Sequence, residues 1–445
     1  MTNFLPKFFH VRREEKLPVF LGMLFFFFVM AALMLLRPAR EALGMQRGIE
    51  SVRWLFIGTA VVTLLVNPVF GWLVSRFRRI RFIAATYAFF GASLVAFWAV
   101  MVFAPAAIGV TSGQVFYVWF SVFNLFSVMV FWALLADRFS LEQSKRFFPL
   151  IAAGGTVGAI FGPWLASTLA QPFGTSVLLL VATGFLLLAI VAAWALTQVL
   201  PDRRDGTSHH MAEEDEHAVI GGNAWGGFRA VFGSRYLLGI AAYVVILAIV
   251  LTFIYFTRMQ MVAALGDSVD MRTAIFARLD MITQIATLVL QLSITGYLMK
   301  RFGVPVTLAL LPLTVMLGFI GLAIFGSLAM VVVLDAASKA VQRAVMRPAR
   351  ETLFTVLNRE DKYKAKAFID TFVYRGGDVI GAQVEGLLKS LGMGLVALSS
   401  LVVPMTVAWT LLGVWLGRQQ EAKAGKSGAS GAEEGGGPVP NITTG

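Results

Sequence analysis

The sequence predicts an all-α polytopic membrane protein with twelve transmembrane helices, arranged as two six-helix halves. Apolar residues make up 58% of the 445-residue chain and charged residues only 14%, a balance that excludes an ordinary soluble domain. Apolar windows long enough to cross a bilayer recur from one end of the chain to the other. Short matches between the first and second parts of the chain indicate an internal duplication.

The apolar windows define twelve predicted spans. The first is too long for the apolar core of a signal peptide and has no small-residue cleavage site after it, so we expect a retained helix. The predicted spans lie at about 17–36, 54–74, 82–103, 114–135, 148–170, 175–200, 237–256, 274–298, 304–325, 328–357, 366–388 and 395–416.

Hydrophilic stretches divide the chain further. They predict a cytoplasmic arm at 1–16, an N-terminal half at 17–200, a cytoplasmic linker at 201–236, a C-terminal half at 237–417 and a disordered cytoplasmic tail at 418–445.

Lysine and arginine set the predicted orientation. They concentrate in the loops after even-numbered spans, so these loops and both termini are expected to be cytoplasmic in a bacterial inner membrane. The loop predicted after the first span is an exception, because it places basic residues on the outer side: Arg37, Arg40, Arg47 and Arg53. Topology does not require these arginines, which points to another role.

The remaining composition argues against catalysis and nucleic-acid binding. The net charge of +12 is explained by the basic loops, so no nucleic-acid partner is predicted. Cysteine is absent, and the four histidines lie in the arm and the linker. The sequence holds no Walker A motif, no metal-ligand spacing and no nucleophile placed with a base. We therefore predict neither an enzyme nor a cofactor.

The duplication is clearest in two loops. The run GWLVSRF at 71–77 matches GYLMKRF at 296–302, and Gly154-Gly155 matches Gly376-Gly377. Two halves with the same helix order are typical of the major facilitator fold. The G-x-L-x-x-R-F pair also resembles the loop motif of that superfamily, although Ser75 and Lys300 stand where its acidic residue is usual.

Span 10 carries charged side chains at every fourth position. Four residues advance an α-helix by about 40° beyond a full turn, so these side chains share one face. The row consists of Asp335, Lys339, Arg343 and Arg347, with Arg350 on the same arc. The equivalent positions of span 4 are apolar, so the row is not part of the duplicated scaffold.

Each buried charge costs about 2.5–3.5 kcal/mol at the centre of a span, so this row requires a wet cavity, internal pairing or a position at the membrane edge. Asp335 and Lys339 can pair at i,i+4, and Glu351 is a partner for Arg347. Pro348 is expected to bend or break the helix. The row either binds a polyanion, since arginine forks suit phosphate oxygens, or anchors the helix at the cytoplasmic edge.

The stretch Arg347–Glu351 (RPARE) occurs once more at Arg37–Glu41, where Arg37 and Arg40 either face the substrate or reach toward the outer interface. Four acidic residues inside spans are either ion couplers or neutral partners of nearby bases. The expected pairs are Asp280 with Arg278, Asp370 with Lys366, Asp378 with Arg375, and Glu385 with Lys389.

Span 10 and the loop after it resemble the ATP/ADP translocase family. Arg350-Glu351 stands where the family motif has Lys-Glu, and Lys366, Asp370 and Arg375 stand at its Lys, Asp and Arg. The run Arg37–Glu41 is similar to its R-x-x-K-D, whereas Asp378 replaces a basic residue. The resemblance implies a divergent branch that transports an anionic, phosphorylated, nucleotide-like solute.

We therefore expect a monomeric secondary transporter that works by alternating access around a central cationic cavity, with a small anionic solute and the bilayer as its partners. The expected substrate-binding residues are Arg37, Arg40, Lys339, Arg343, Arg347 and Arg350. The expected gating or coupling residues are Glu41, Asp335, Glu351, Lys366, Asp370 and Arg375. Two alternatives remain at this point: a transporter of another organic anion or lipid-like metabolite, and a non-transporting scaffold or sensor.

Overall fold

The computed structural model describes residues 12–76, 79–200, 224–293 and 295–434, and this part of the chain is almost entirely helical. The helices are α1 (Lys16–Gly44), α2 (Ile49–Arg76), α3 (Arg79–Phe103), α4 (Ala106–Arg138), α5 (Leu141–Phe173), α6 (Val177–Val199), α7 (Ala224–Gly233), α8 (Arg235–Leu265), α9 (Val269–Ser293), α10 (Thr295–Phe325), α11 (Leu328–Val341), α12 (Arg347–Leu353), α13 (Arg359–Phe368), α14 (Tyr374–Ser390) and α15 (Leu395–Glu434). Two π-helical turns, π1 (Gln342–Met346) and π2 (Ile369–Val373), join α11 to α12 and α13 to α14.

The predicted all-α membrane fold is confirmed, but the count of twelve spans is only partly reached. Within the described residues, ten helices are long and apolar enough to cross a membrane. Predicted spans 10 and 11 do not meet that criterion, because they correspond to α11–π1–α12 and α13–π2–α14, which are divided by π-turns and carry many charges.

The chain separates into two compact units whose boundary differs from that of the predicted halves. In the described residues, the first unit holds α1 to α6 together with Tyr255–Ile285, and the second holds α7, α8 up to Ile254, and the chain from Ala286 onward. The segment Tyr255–Ile285 was expected in the C-terminal half. Tyr255 and Asp280 of this segment make polar contacts with Glu41 and Arg37 of α1.

Helix α1 is the centre of the first unit, packed by α4, α5 and α6. Its face is aromatic: the rings of Phe26 and Phe131 stack with centroids 4.1 Å apart. Tyr87 is fully buried and donates a hydrogen bond of 2.8 Å to the carbonyl of Ser127. This rigid packing fixes the orientation of α1 and hence of the charged residues near its end.

A stripe of glycines on α5 allows α1 to approach closely. Gly154, Gly158 and Gly162 recur every four residues, and a Cβ on Gly158 would lie 2.4 Å from the carbonyl oxygen of Phe27. Small residues at this spacing let two membrane helices pack backbone to backbone. The obstructing atom belongs to the backbone, so it cannot turn away to admit a larger side chain.

Replacing Gly158 by leucine should therefore destabilise the first unit. Overpacking a tight core costs about 1–3 kcal/mol, and a backbone clash places this site at the upper end. The melting temperature of the purified protein in detergent measures the effect. Gly184→Leu is the matched control, because no atom lies within 4 Å of a Cβ at Gly184. An equal decrease of the melting temperature in the two variants would contradict the close approach of α1 and α5.

In the second unit α10 packs against α15 and α11. A Cβ on Gly417 of α15 would lie 2.4 Å from the Cα of Pro305, which shows how close α10 and α15 are. Tyr243 of α8 donates a hydrogen bond of 2.8 Å to the carbonyl of Leu308. Helix α10 is interrupted at Gly303, whose φ of 72° is accessible mainly to glycine.

Two local expectations are corrected. Pro348 does not break the helix, because the backbone is helical on both sides of it, from π1 into α12. The irregularity lies before it, at π1. The tail predicted as disordered from 418 continues α15 to Glu434, and its last residues, 435–445, lie outside the described part, as does most of the predicted linker.

Candidate functional site

The first unit contains a buried polar network around Arg40. The Nη1 of Arg40 donates to Glu41 at 3.0 Å, and its Nε donates to the carbonyl oxygen of Tyr117 at 3.1 Å. The guanidinium carbon also lies 3.7 Å from the ring centroid of Tyr117, which is a cation–π contact. Arg40 is therefore held on three sides by α1 and α4.

Glu41 connects this network to α8. It is buried, and its second carboxylate oxygen accepts a short hydrogen bond from the hydroxyl of Tyr255. The hydroxyls of Tyr117 and Tyr255 lie 2.9 Å apart. Because the single proton of Tyr255 goes to Glu41, Tyr117 must be the donor to Tyr255. The chain of contacts joins α1, α4 and α8 within the first unit.

A second network of the same unit surrounds Asp280 of α9. The Nη2 of Arg258 lies 2.9 Å from one carboxylate oxygen of Asp280, and the Nε of Arg37 lies 3.7 Å from the other. The Arg258 and Asp280 side chains are 5% and 3% exposed, whereas that of Arg37 is 27% exposed. Arg258 is thus fixed by a buried pair, and Arg37 is held more loosely and at a more accessible position.

The structure corrects the expected location of Arg37 and Arg40. They were assigned to an outer loop, but α1 continues through Pro38 to Gly44, so both arginines lie within the helix. The helix is sustained by burial of Leu35, Leu36 and Ala39 around them.

In the second unit the charged row of span 10 starts with a confirmed ion pair. The Nζ of Lys339 lies 2.7 Å from Asp335 on the same helix face. Exposure then increases along the row: Arg343 is half-buried and Arg347 is exposed. The turn π1 lies between Lys339 and Arg347. A π-turn holds more residues than an α-helical turn. It therefore reduces the 40° rotation between residues four apart and keeps the side chains of the row on one face.

The helices interrupted by π-turns are joined by polar side chains. Arg350 of α12 lies 3.0 Å from Asp370 of π2, and Lys366 makes a short ion pair with Glu351. These two ion pairs link α12 to the segment formed by α13 and π2. Turns of the π type are frequent at functional sites.

Arg347 differs from its neighbours. Four carboxylates of this region are engaged by other cations, namely Asp335, Glu351, Asp370 and Asp378. Among the described residues, no carboxylate lies within salt-bridge distance of Arg347. The expected pair of Arg347 with Glu351 is wrong, because Glu351 turns toward Lys366 and Arg350, the latter at 3.7 Å.

Other pairings also differ from those expected. Asp280 pairs with Arg258 and Arg37 instead of the exposed Arg278, and Asp370 pairs with Arg350 instead of Lys366. Only the expected contact of Asp378 with Arg375, at 3.4 Å, is confirmed among these three. Tyr117 and Tyr255 were not anticipated, because a tyrosine in an apolar span carries no signal until its partner is known.

No group of His, Cys, Asp and Glu residues suited to a metal ion occurs in the part of the chain that the structure describes. The site is therefore described by arginines, lysines, carboxylates and tyrosines alone.

Comparison with known sequences places the chain among transporters. The family model described as Major Facilitator Superfamily matches residues 19–341. The ADP,ATP carrier protein 1 of Chlamydia trachomatis is 24% identical over 324 residues, which cover 65% of this chain and 60% of that carrier. The ADP,ATP carrier protein 2 of the same organism is 24% identical over an alignment of 500 positions, which covers 95% of this chain and 92% of that carrier.

Solved structures agree on the fold. The POT family transporter PepTSo superposes with a TM-score of 0.64 at 11% identity, covering 91% of this chain and 98% of that one. The nucleoside transporter NupG gives a TM-score of 0.59 at 12% identity, again covering 91% of this chain and 98% of that one. At such identities the likeness shows the fold alone.

Proposed function

The chain belongs to the Major Facilitator Superfamily and is a multi-pass membrane transporter, and from this premise we propose that it moves an anionic, phosphorylated, nucleotide-like solute across a bacterial inner membrane. The observation that carries the proposal is Arg347, an exposed arginine at the end of a charged row in an otherwise apolar stretch. Arginine offers a planar fork of donors that matches phosphate oxygens.

Two further arginines lie close to Arg347 along the chain. Arg343 precedes it by four residues and Arg350 follows by three, so three guanidinium groups occur within two turns of one helix. A polyanion has several phosphate oxygens with which to contact these guanidinium groups, whereas a neutral solute offers them no opposite charge. The relatives named as ADP,ATP carriers support a nucleotide over other anions.

We assign the ion pairs around Arg347 to gating. Asp370 pairs with Arg350, and Glu351 pairs with Lys366. A phosphate that approaches the row competes for these cations, and the released carboxylates are free to take other partners. Exchange of partners costs less than separation of charges in a medium of low dielectric. The energy source is either counter-exchange of solutes or a proton gradient.

The proposal is tested by uptake of labelled ATP into bacterial cells that express the protein and contain unlabelled ADP. Uptake that requires internal ADP supports nucleotide exchange. Uptake no greater than in cells with the empty vector would overturn the nucleotide assignment. Binding of a partner protein that depends on Arg347 in the absence of any solute flux would favour a scaffold or sensor instead.

The gating role predicts a specific kinetic defect in Asp370→Asn. Arg350 loses its ion-pair partner at 3.0 Å, so the exchange of partners that we assign to gating is impaired while the cations for the solute remain. We expect maximal exchange to fall by roughly tenfold, equivalent to about 1.4 kcal/mol, with no increase in the half-saturating concentration.

Asp378→Asn is the matched control, because the ion pair of Asp378 among the described residues is with Arg375 of its own helix. A rise in the half-saturating concentration in Asp370→Asn, with maximal exchange unchanged, would assign Asp370 to solute binding and contradict gating.

A further inference from the structure

Helix α7 has an aromatic face whose surroundings the transport site does not explain. The ten residues of α7 end at Gly233, and the membrane-length helix α8 starts at Arg235. Phe228 and Phe232 lie one turn apart with ring centroids separated by 4.4 Å. They are 41% and 60% exposed. Since α8 spans the membrane, α7 lies at the level where that span leaves the bilayer.

Part of α7 is packed against the protein. Val231 is buried, and the rings of Phe228 and of Phe368 in α13 are nearly perpendicular, with centroids 5.9 Å apart. The helix is therefore docked within the second unit, and the exposed parts of Phe228 and Phe232 point away from it. Leu238, near the start of α8, is also 44% exposed. Because α7 leads directly into a membrane span, lipid is the expected occupant.

The charges near α7 favour anionic lipid. Arg229 and Arg235 are both exposed, and α7 itself contains no acidic residue. Lys423 adds a third cation at this level, with its Nζ 4.7 Å from the ring centroid of Tyr236. Aromatic and basic side chains on one short helix are the pattern of helices that lie in the membrane interface. Basic residues there attract anionic headgroups.

We infer that α7 is an interfacial helix that inserts Phe228 and Phe232 at the boundary of headgroups and acyl chains, with Arg229 and Arg235 on anionic headgroups. Phe228 contacts Phe368, which immediately precedes π2 in the chain. Lipid binding thus braces the segment that carries Asp370. The anchor depends on membrane residence and not on the identity of the solute.

The absence of cysteine allows a direct test with single labelled sites. Phe232→Cys carries an environment-sensitive fluorophore, and the full chain is reconstituted in phosphatidylcholine vesicles with and without phosphatidylglycerol. Doxyl-labelled lipid and aqueous iodide serve as quenchers. Leu411→Cys, which is 66% exposed in the middle of α15, reports lipid, and Asp267→Cys, on an exposed loop, reports water.

We expect the label at Phe232→Cys to be quenched by shallow doxyl groups and protected from iodide, as at Leu411→Cys, and the lipid quenching to decrease without phosphatidylglycerol. Iodide quenching equal to that of Asp267→Cys would overturn the interfacial position. Lipid quenching that does not respond to phosphatidylglycerol would overturn the role of anionic headgroups. Neither readout depends on solute flux, so failure here is separate from failure of the proposed function.

Discussion

Arg347→Gln is expected to raise the half-saturating nucleotide concentration by about 10- to 100-fold while the protein remains folded. A hydrogen-bonded contact to a charged group contributes about 1.5–3 kcal/mol, and each 1.4 kcal/mol corresponds to a factor of ten. Arg347 is exposed and pairs with no described carboxylate. Its replacement therefore leaves no described carboxylate without its counter-charge and does not disturb the packing. Concentration-dependent exchange in proteoliposomes measures the effect.

Two variants sharpen this result. Arg347→Lys keeps the charge but loses the planar fork, and we expect an intermediate value. Arg418→Gln removes the same charge from an exposed position on α15 and should leave exchange unchanged. If Arg418→Gln and Arg347→Gln raised the half-saturating concentration equally, the effect would come from overall charge, and a specific role of Arg347 would be wrong.

Asp280→Ala is expected to destabilise the first unit by about 3–5 kcal/mol, because it leaves Arg258 buried without its partner at 2.9 Å. Water cannot replace the lost carboxylate, because the Arg258 side chain is only 5% exposed. The melting temperature in detergent, together with the yield of monodisperse protein, measures the loss. Asp267→Ala removes an exposed carboxylate from the same unit and should change neither.

A double variant identifies the cause. Adding Arg258→Met to Asp280→Ala removes the stranded charge, so it should recover much of the lost stability, as replacement of a buried ion pair by apolar residues is often neutral. A double variant that is less stable than Asp280→Ala would show that Arg258 stabilises the unit through other contacts. The buried pair would then not account for the association of α8 and α9 with α1.

The fold was predictable because apolar length is a local property. Apolar runs such as 17–36 and 237–256 predict membrane helices from the local sequence alone. Helices α11 and α13 were harder, because the π-turns that interrupt them have no sequence signature and their charges lower the hydropathy. The continuation of α1 through Pro38 was missed for a related reason: its stability comes from packing against α4 and α5.

The charged row was also predictable, since a spacing of four on a helix is a local pattern. The pair of Lys339 with Asp335 follows from it directly. Pairings between helices did not follow, because they depend on which segments are adjacent. Arg350 was assigned no partner in π2, and Asp280 was matched to the nearby Arg278 instead of Arg258. Nearness along the chain is a poor guide when two helices face each other.

The claim that cations of the row recognise phosphate is tested most directly by competition in proteoliposomes loaded with ADP. Entry of labelled ATP is measured against excess AMP, ADP or adenosine outside, for the natural protein and for Arg347→Gln. We predict competition by the phosphorylated compounds, none by adenosine, and weaker competition by ADP in Arg347→Gln. Competition by adenosine as strong as that by ADP, unchanged in Arg347→Gln, would contradict the account.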